Sequence, residues 1–254
     1  MTQTHTFTQY KLGCLKDPKD DNDLMLASYL IPKKLPKSIN WFDQTIPVLD
    51  QGQEPSCVGY GGVSLKREQE KIEIKKILNF SGQDLYERCK KVDGSPDEEG
   101  TFIRVAMKLL QNEGVKDPDG NIYKIGAYTK VNNLDELKYA IAANGFALIG
   151  VEVFENFFKP ENGIIDFKDG LDSDGGHCIL VGAYDDVIEK VAFKNSWGVD
   201  WGLNGFAYLT YKYIEKAMHT AWTAVDIDNE LTPASGILNI GKIKSDLAEV
   251  KNNK

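Results

Sequence analysis

The sequence predicts an α+β fold in two halves, helical first and β-rich second, with the chemistry in the cleft between them. Three observations predict it. Between 57 and 114 three stretches carry helix signatures, whereas beyond 145 the chain breaks into short apolar runs punctuated by Gly, Asn and Asp. The residues able to do covalent chemistry, Cys57 before the change of texture and His177 after it, are divided between the two halves. Ligand sites favour such interfaces.

In chain order, residues 1–36 are polar and mixed, with the charged patch Lys16 to Asp23 followed by the more apolar Leu24 to Ile31. Alone they could not build a core. Pro32 and Pro36 bracket a short linker, and 35–49 reads as an extended entry with Ile39, Trp41 and Ile46 buried. After Cys57, the residues Val58, Gly61, Gly62 and Leu65 recur at helical spacing. Glycines 59, 61 and 62 are poor helix formers, so this helix is expected to be buried, with its backbone closely approached. Ser81 and Asp84 have capping-box spacing and start a second helix through Cys89. A loop from Asp93 to Gly100 follows. Thr101 is then the expected cap of a third helix, whose stripe Ile103, Ala106, Met107 and Leu110 ends at Gly114. Asn133 with Glu136 caps a fourth, running to Gly145. Strands are expected at Ala147 to Val153, Cys178 to Tyr184, Val191 to Lys194 and Gly205 to Thr210. The division is therefore an extension at 1–36, a helical half at about 37–130, a β-rich half at about 131–230, and a loose or partner-facing extension at 231–254.

A cysteine at a helix N-terminus sits where unpaired N–H groups and the macrodipole favour the thiolate. Its proton carrier must be one of three histidines. His5 lies in a polar stretch and His219 at an expected helix end, whereas His177 follows Gly175-Gly176 and leads into an apolar run. Further on, Asn195-Ser196-Trp197-Gly198 and Trp201-Gly202-Leu203-Asn204-Gly205 form a dense Trp and Gly block. Gln51, Cys57, Gly176-His177 and this block together resemble the papain-like cysteine peptidases of the cathepsin family. His177 and Asn195 follow Cys57 by 120 and 138 residues, against roughly 130–150 for such enzymes.

The resemblance spans about residues 35–228, and it implies a papain-like two-subdomain fold and a role for each matched residue. Cys57 would be the nucleophile, His177 the general base and later acid, and Asn195 the acceptor that orients the imidazole. The Gln51 amide and the Cys57 N–H would form the oxyanion hole. Trp197 would shield the Asn195–His177 hydrogen bond, and Gly100 and Cys178 would line the substrate cleft. The extension, with Gly13 and the spaced Asp17, Asp20 and Asp23, is similar to the short N-terminal segments of microbial and viral members. It is expected to lie across the groove near Cys57 as an intramolecular inhibitor. The usual Cys-Gly-Ser-Cys-Trp reads Glu54-Pro55-Ser56-Cys57-Val58 here, so one disulfide partner and one aromatic wall are lost. Substrate preference does not carry over.

Composition narrows the partners. A net charge of −8 and a pI near 5.0 argue against nucleic acid or an anionic membrane. The four cysteines (14, 57, 89, 178) include no Cys-x-x-Cys pair, and there is no His-Glu-x-x-His, so neither metal nor cofactor is expected. Gly59-x-Gly61-Gly62 fails as a dinucleotide fingerprint because its third glycine falls at Ser64. With no signal peptide in the first ten residues, no membrane span and few cysteines, the expected compartment is reducing and cytoplasmic, with export by another route left open. The expected activity is peptide-bond hydrolysis through a thioester on a peptide or protein substrate. An acyl transferase or amidase using the same site and a catalytically silent peptide-binding protein are the alternatives.

Overall fold

The computed structural model describes residues 10–225 and 237–252. His5 and the stretch 226–236 lie outside them. A two-residue strand, β1 (Cys14–Leu15), and a 3-10 turn at Leu26–Tyr29 precede β2 (Ser38–Asn40). Helices α1 (Cys57–Ile74), α2 (Gly82–Val92) and α3 (Ile103–Asn112) make the helical half, with β3 (Thr101–Phe102) leading into α3.

The glycines of α1 are there for contact. A Cβ on Gly59 would lie 2.3 Å from the Gly82 carbonyl oxygen, and one on Gly62 would lie 2.7 Å from Leu85 Cδ2. Each glycine costs about 1 kcal/mol of helix propensity, and the close approach of α2 offsets it. Less legible is the charged run Lys66 to Glu70, buried throughout. Lys66 pairs with Glu70 at 2.7 Å, Arg67 donates to the carbonyls of Leu78 and Pro47, and Glu68 forms a buried ion pair with Lys194. A helix buried on all sides must pair every charge it carries.

Ser81 caps α2 by accepting the Asp84 N–H at 3.0 Å, as its spacing predicts, although the helix runs past Cys89 to Val92. Thr101 does not cap α3. It lies in β3 and donates to Asp93, while the Arg104 N–H finds its acceptor in Asp17 Oδ1 at 3.2 Å. The cap comes from the distant N-terminal segment.

Two short strands, β4 (Val115–Lys116) and β5 (Ile122–Tyr123), pair with each other before the main sheet begins. That sheet contains β6 (Ala127–Lys130), β7 (Ala147–Val153), β8 (Ile164–Ile165), β9 (Gly175–Asp185), β10 (Lys190–Lys194), β11 (Phe206–Thr210) and β12 (Met218–Val225). Its order is β6-β12-β7-β9-β10-β11-β8, with β2 joined to β9. Helices α4 (Leu134–Asn144), α5 (Glu155–Phe158) and α6 (Tyr211–Ala217) connect these strands, and Asn133 caps α4 through the Glu136 N–H at 2.9 Å. β2 and β6 come from the helical side of the division read from the sequence, yet both pair into the sheet. His219, expected at a helix end, lies in β12. No helix among the described residues is long and apolar enough to cross a membrane.

Residues 10–36 and 237–252 are packed on the rest of the fold. Asp17 is buried, and its Oδ2 accepts from Trp222 Nε1 at 2.7 Å and from the Thr220 hydroxyl. Leu26 and Tyr29 are core residues. Over them lies α7 (Ile240–Asn252), entered through a bridge between Leu30 and Leu238 and held by the Tyr29 hydroxyl donating to Asp246 at 2.9 Å. The C-terminal extension, expected to be loose, is from 237 a clasp on the N-terminal segment. Asp17→Ala is expected to cost about 3 kcal/mol, because it leaves the buried indole N–H and the α3 terminus without an acceptor. A urea titration of the two proteins measures it.

Candidate active site

The N-terminus of α1 delivers Cys57 to the sheet with its side chain fully buried. Burial pushes the thiol well above its ordinary pKa, with the Cys14 thiol adding to the rise. The N–H groups of Cys178, Gly13 and Val58 act in the opposite direction and are outweighed. His177 lies on β9, one residue from Cys178. Its Nε2 meets Asn195 Oδ1 at 2.7 Å, and that same oxygen accepts the Ser196 N–H at 2.8 Å. An oxygen that accepts the backbone N–H is an acceptor for the imidazole too, so Nε2 carries the proton and Nδ1 the lone pair. Nδ1 has no hydrogen-bond partner among the described residues, Cys57 included. Burial lowers the His177 pKa to about 4 against the opposing pull of Asn195. The thiol and the imidazole are therefore both neutral.

Trp197 covers this pair. Its ring stacks on His177 with centroids 4.4 Å apart, and Phe158 stacks on Trp197 at 5.7 Å. Gln51 is fixed at both ends of its amide: Oε1 accepts the Ser196 hydroxyl at 2.7 Å, which turns Nε2 toward the cleft. There Nε2 donates to the carbonyls of Lys11 at 3.0 Å and Glu54 at 2.8 Å.

Lys11 belongs to the segment that fills the cleft. Tyr10 stacks on the indole of Trp197, centroids 4.5 Å apart and planes within 9°. The Gly13 N–H donates to the Gly176 carbonyl at 3.1 Å, and the Thr101 N–H donates to the Gly13 carbonyl at 2.9 Å. Cys14 and Leu15 then run parallel to Thr101 and Phe102. Gly100 has φ 85°, and a Cβ there would lie 2.4 Å from the Gly13 oxygen. The sequence reading put Gly100 in the lining of the cleft. Gly100 makes the room, and Thr101 makes the bond. Cys178 lies beside the segment's Cys14, an adjacency that nothing in the local sequence signals. Among the described residues no group of three or more His, Cys, Asp or Glu is arranged to hold a metal ion.

A helix-borne thiol, a strand-borne imidazole held by an amide oxygen, and an amide N–H aimed at a carbonyl are the parts of a thiol-dependent acyl-transfer site. Comparison with known proteins agrees. Residues 116–225 match the papain family cysteine protease model. An uncharacterized peptidase C1-like protein of Acanthamoeba polyphaga mimivirus is 25% identical over an alignment of 211 positions, gaps included, that covers 67% of this chain and 66% of that protein. A senescence-specific cysteine protease of Oryza sativa subsp. indica is 27% identical over an alignment of 195 positions that covers 68% of this chain and 57% of that protein. The chain thus spans just under two thirds of the first relative's length and less of the second's. In fold it is similar to xylellain, a cysteine protease from Xylella fastidiosa, with a TM-score of 0.70 at 21% identity over 84% of this chain and 95% of that one. The chain has the papain-like α+β fold and resembles the papain-like cysteine peptidases in motif and in family profile.

Proposed function

We propose that the chain is a cysteine peptidase that hydrolyses peptide bonds through a thioester, and that residues 10–15 hold it closed. The observation that carries the reading is the His177 imidazole, fixed by Asn195 at 2.7 Å with its other nitrogen unpartnered, beside the strand residue whose N–H faces Cys57. When the segment leaves, water enters and the burial that keeps both groups neutral is relieved, so the Cys57 proton can pass to Nδ1. The thiolate adds to the substrate carbonyl carbon. Gln51 Nε2, which now donates to the Lys11 carbonyl, is then free to donate to the oxyanion together with the Cys57 N–H. The imidazolium protonates the leaving amine, and the thioester is opened by a water whose proton His177 accepts. No step calls for a cofactor.

The substrate class is peptide or protein, and the setting we propose is cytoplasmic. The test is a peptide library digested in oxygen-18 water. One labelled carboxylate per cut, undiminished by added amine, is expected; capture of the acyl group by the amine would make the protein a transferase, and no product from the opened protein would make it a silent binder. In the same assay His177→Ala is expected to lower kcat/KM by about 1,000-fold, since it removes the proton carrier. Asn195→Ala removes one orienting hydrogen bond and is expected to cost about tenfold. Equal losses would contradict separate roles.

A further inference from the structure

Cys14 occupies a place made for its sulfur. In the β7–β9 register Gly150 lies directly opposite Cys178. Side chains so placed stand about 5 Å apart on one face of the sheet. Gly150 has none, and a Cβ there would lie 2.7 Å from Cys14 Sγ, so the sulfur fills the missing position beside Cys178. The backbone is fixed as closely: a Cβ on Gly176, two residues before Cys178 on the same face, would lie 2.1 Å from the Cys14 carbonyl oxygen. Cys178 Sγ is wedged from its other side by Gly61 of α1, where a Cβ would come within 2.9 Å. The two thiols are close enough to perturb one another's ionisation, while the Cys14 thiol donates to the Leu15 carbonyl at 3.9 Å. The imidazole of His219 lies against the same two glycines, with Cε1 2.6 Å from a Cβ on Gly150 and Nε2 3.0 Å from one on Gly176, which places a base beside the sulfurs.

We propose that Cys14 and Cys178 are a disulfide-forming pair, and that their oxidation locks the N-terminal segment into the cleft. This goes beyond the peptidase reading, because bond formation needs no turnover by Cys57. The oxidant is a small-molecule disulfide such as oxidised glutathione. When the segment lifts, the Cys14 thiolate attacks one sulfur of the oxidant, forming a mixed disulfide and releasing one thiolate. On redocking, the Cys178 thiolate attacks the Cys14 sulfur and releases the second. The two protons of the protein thiols pass to the released thiolates, and the two electrons pass to the oxidant. Reduction reverses both steps and frees the segment.

The experiment uses the full chain. It is incubated with excess oxidised glutathione at mildly alkaline pH, alkylated with N-ethylmaleimide, digested without reduction and mapped by mass spectrometry. A linked pair of peptides containing Cys14 and Cys178, two hydrogens lighter than their sum, is expected. A link from Cys14 to Cys57, a mixed disulfide that never closes, or no oxidation at all would overturn the proposal. In parallel, alkylation of Cys57 by iodoacetamide is expected to slow by about tenfold on oxidation, because it then needs a larger opening of the structure, and to recover with dithiothreitol. In Cys14→Ser the rate should not respond to oxidation, and a response of wild-type size would equally overturn the latch. Neither readout depends on peptide cleavage, so the latch and the peptidase assignment can fail separately.

Discussion

Alanine at position 57 is expected to lower kcat/KM for peptide hydrolysis by about 10,000-fold or more, while the protein stays folded. The two effects separate by magnitude. Cys57 is fully buried, so deleting its sulfur leaves a small cavity that costs about 1–2 kcal/mol. Against a domain stability of about 5–15 kcal/mol, that leaves nearly every molecule folded, and unfolding cannot supply a loss of such size. The measurement is turnover of a fluorogenic peptide by a variant starting at Lys16, with and without the substitution, beside a thermal melt of each. Activity within tenfold of the parent would remove Cys57 from the nucleophile's role and the peptidase assignment with it.

That shorter protein is the subject of the second large effect. A chain starting at Lys16 is expected to turn over peptide about 100-fold faster than the full chain. The docked arm makes hydrogen bonds from Gln51 to Lys11, from Gly13 to Gly176 and from Thr101 to Gly13, and it stacks Tyr10 on Trp197. A 100-fold gain corresponds to a bias of about 3 kcal/mol toward the closed form, the surplus of these contacts and the arm's burial over the entropy of ordering it. The cut must fall before Asp17. A chain starting at Leu35 also loses the Asp17 acceptor of Trp222 and Arg104 and the core residues Leu26 and Tyr29. Those losses are of the same order as the whole stability, so that protein would report bracing rather than inhibition. Unchanged turnover in a well-folded Lys16 variant would refute the closed-cleft reading.

What could be read in the sequence depended on whether a feature's cause was local. Ser81 and Asn133 cap helices through the residue three places on, and the β-rich apolar run Ala147 to Val153 is enough to make a strand. Cys57, His177, Asn195 and Gln51 were legible through motif, although far apart in the chain. Where the partner is distant, the pattern misleads. Thr101 has the residue type of a cap, but Asp17 occupies that position from 87 residues before Arg104. Lys66 to Glu70 look solvated until Lys194 and two loop carbonyls arrive from outside the helix. β12 mixes the strand formers Thr220, Trp222, Thr223 and Val225 with Met218, His219 and two alanines, and the pairing of β6 and β7 on either side makes it a strand. The C-terminal helix has its reason at Tyr29 and Leu30.

The buried Asp17, which accepts from Trp222 and Thr220, moors the arm two residues beyond Leu15, and α7 clasps the chain further on over Leu26 and Tyr29. An arm on so short a leash re-enters the cleft as though present at a concentration of order millimolar, whatever the dilution of the protein. A peptide at about 10 μM is outnumbered some 100-fold, so it must bind about 100-fold more tightly than the arm to occupy half the molecules. Closure of this kind cannot be diluted away, and an ordinary substrate cannot compete it off. On the proposed closed-cleft reading, opening comes from an event that acts on the arm itself, such as a cut between the cleft and Asp17.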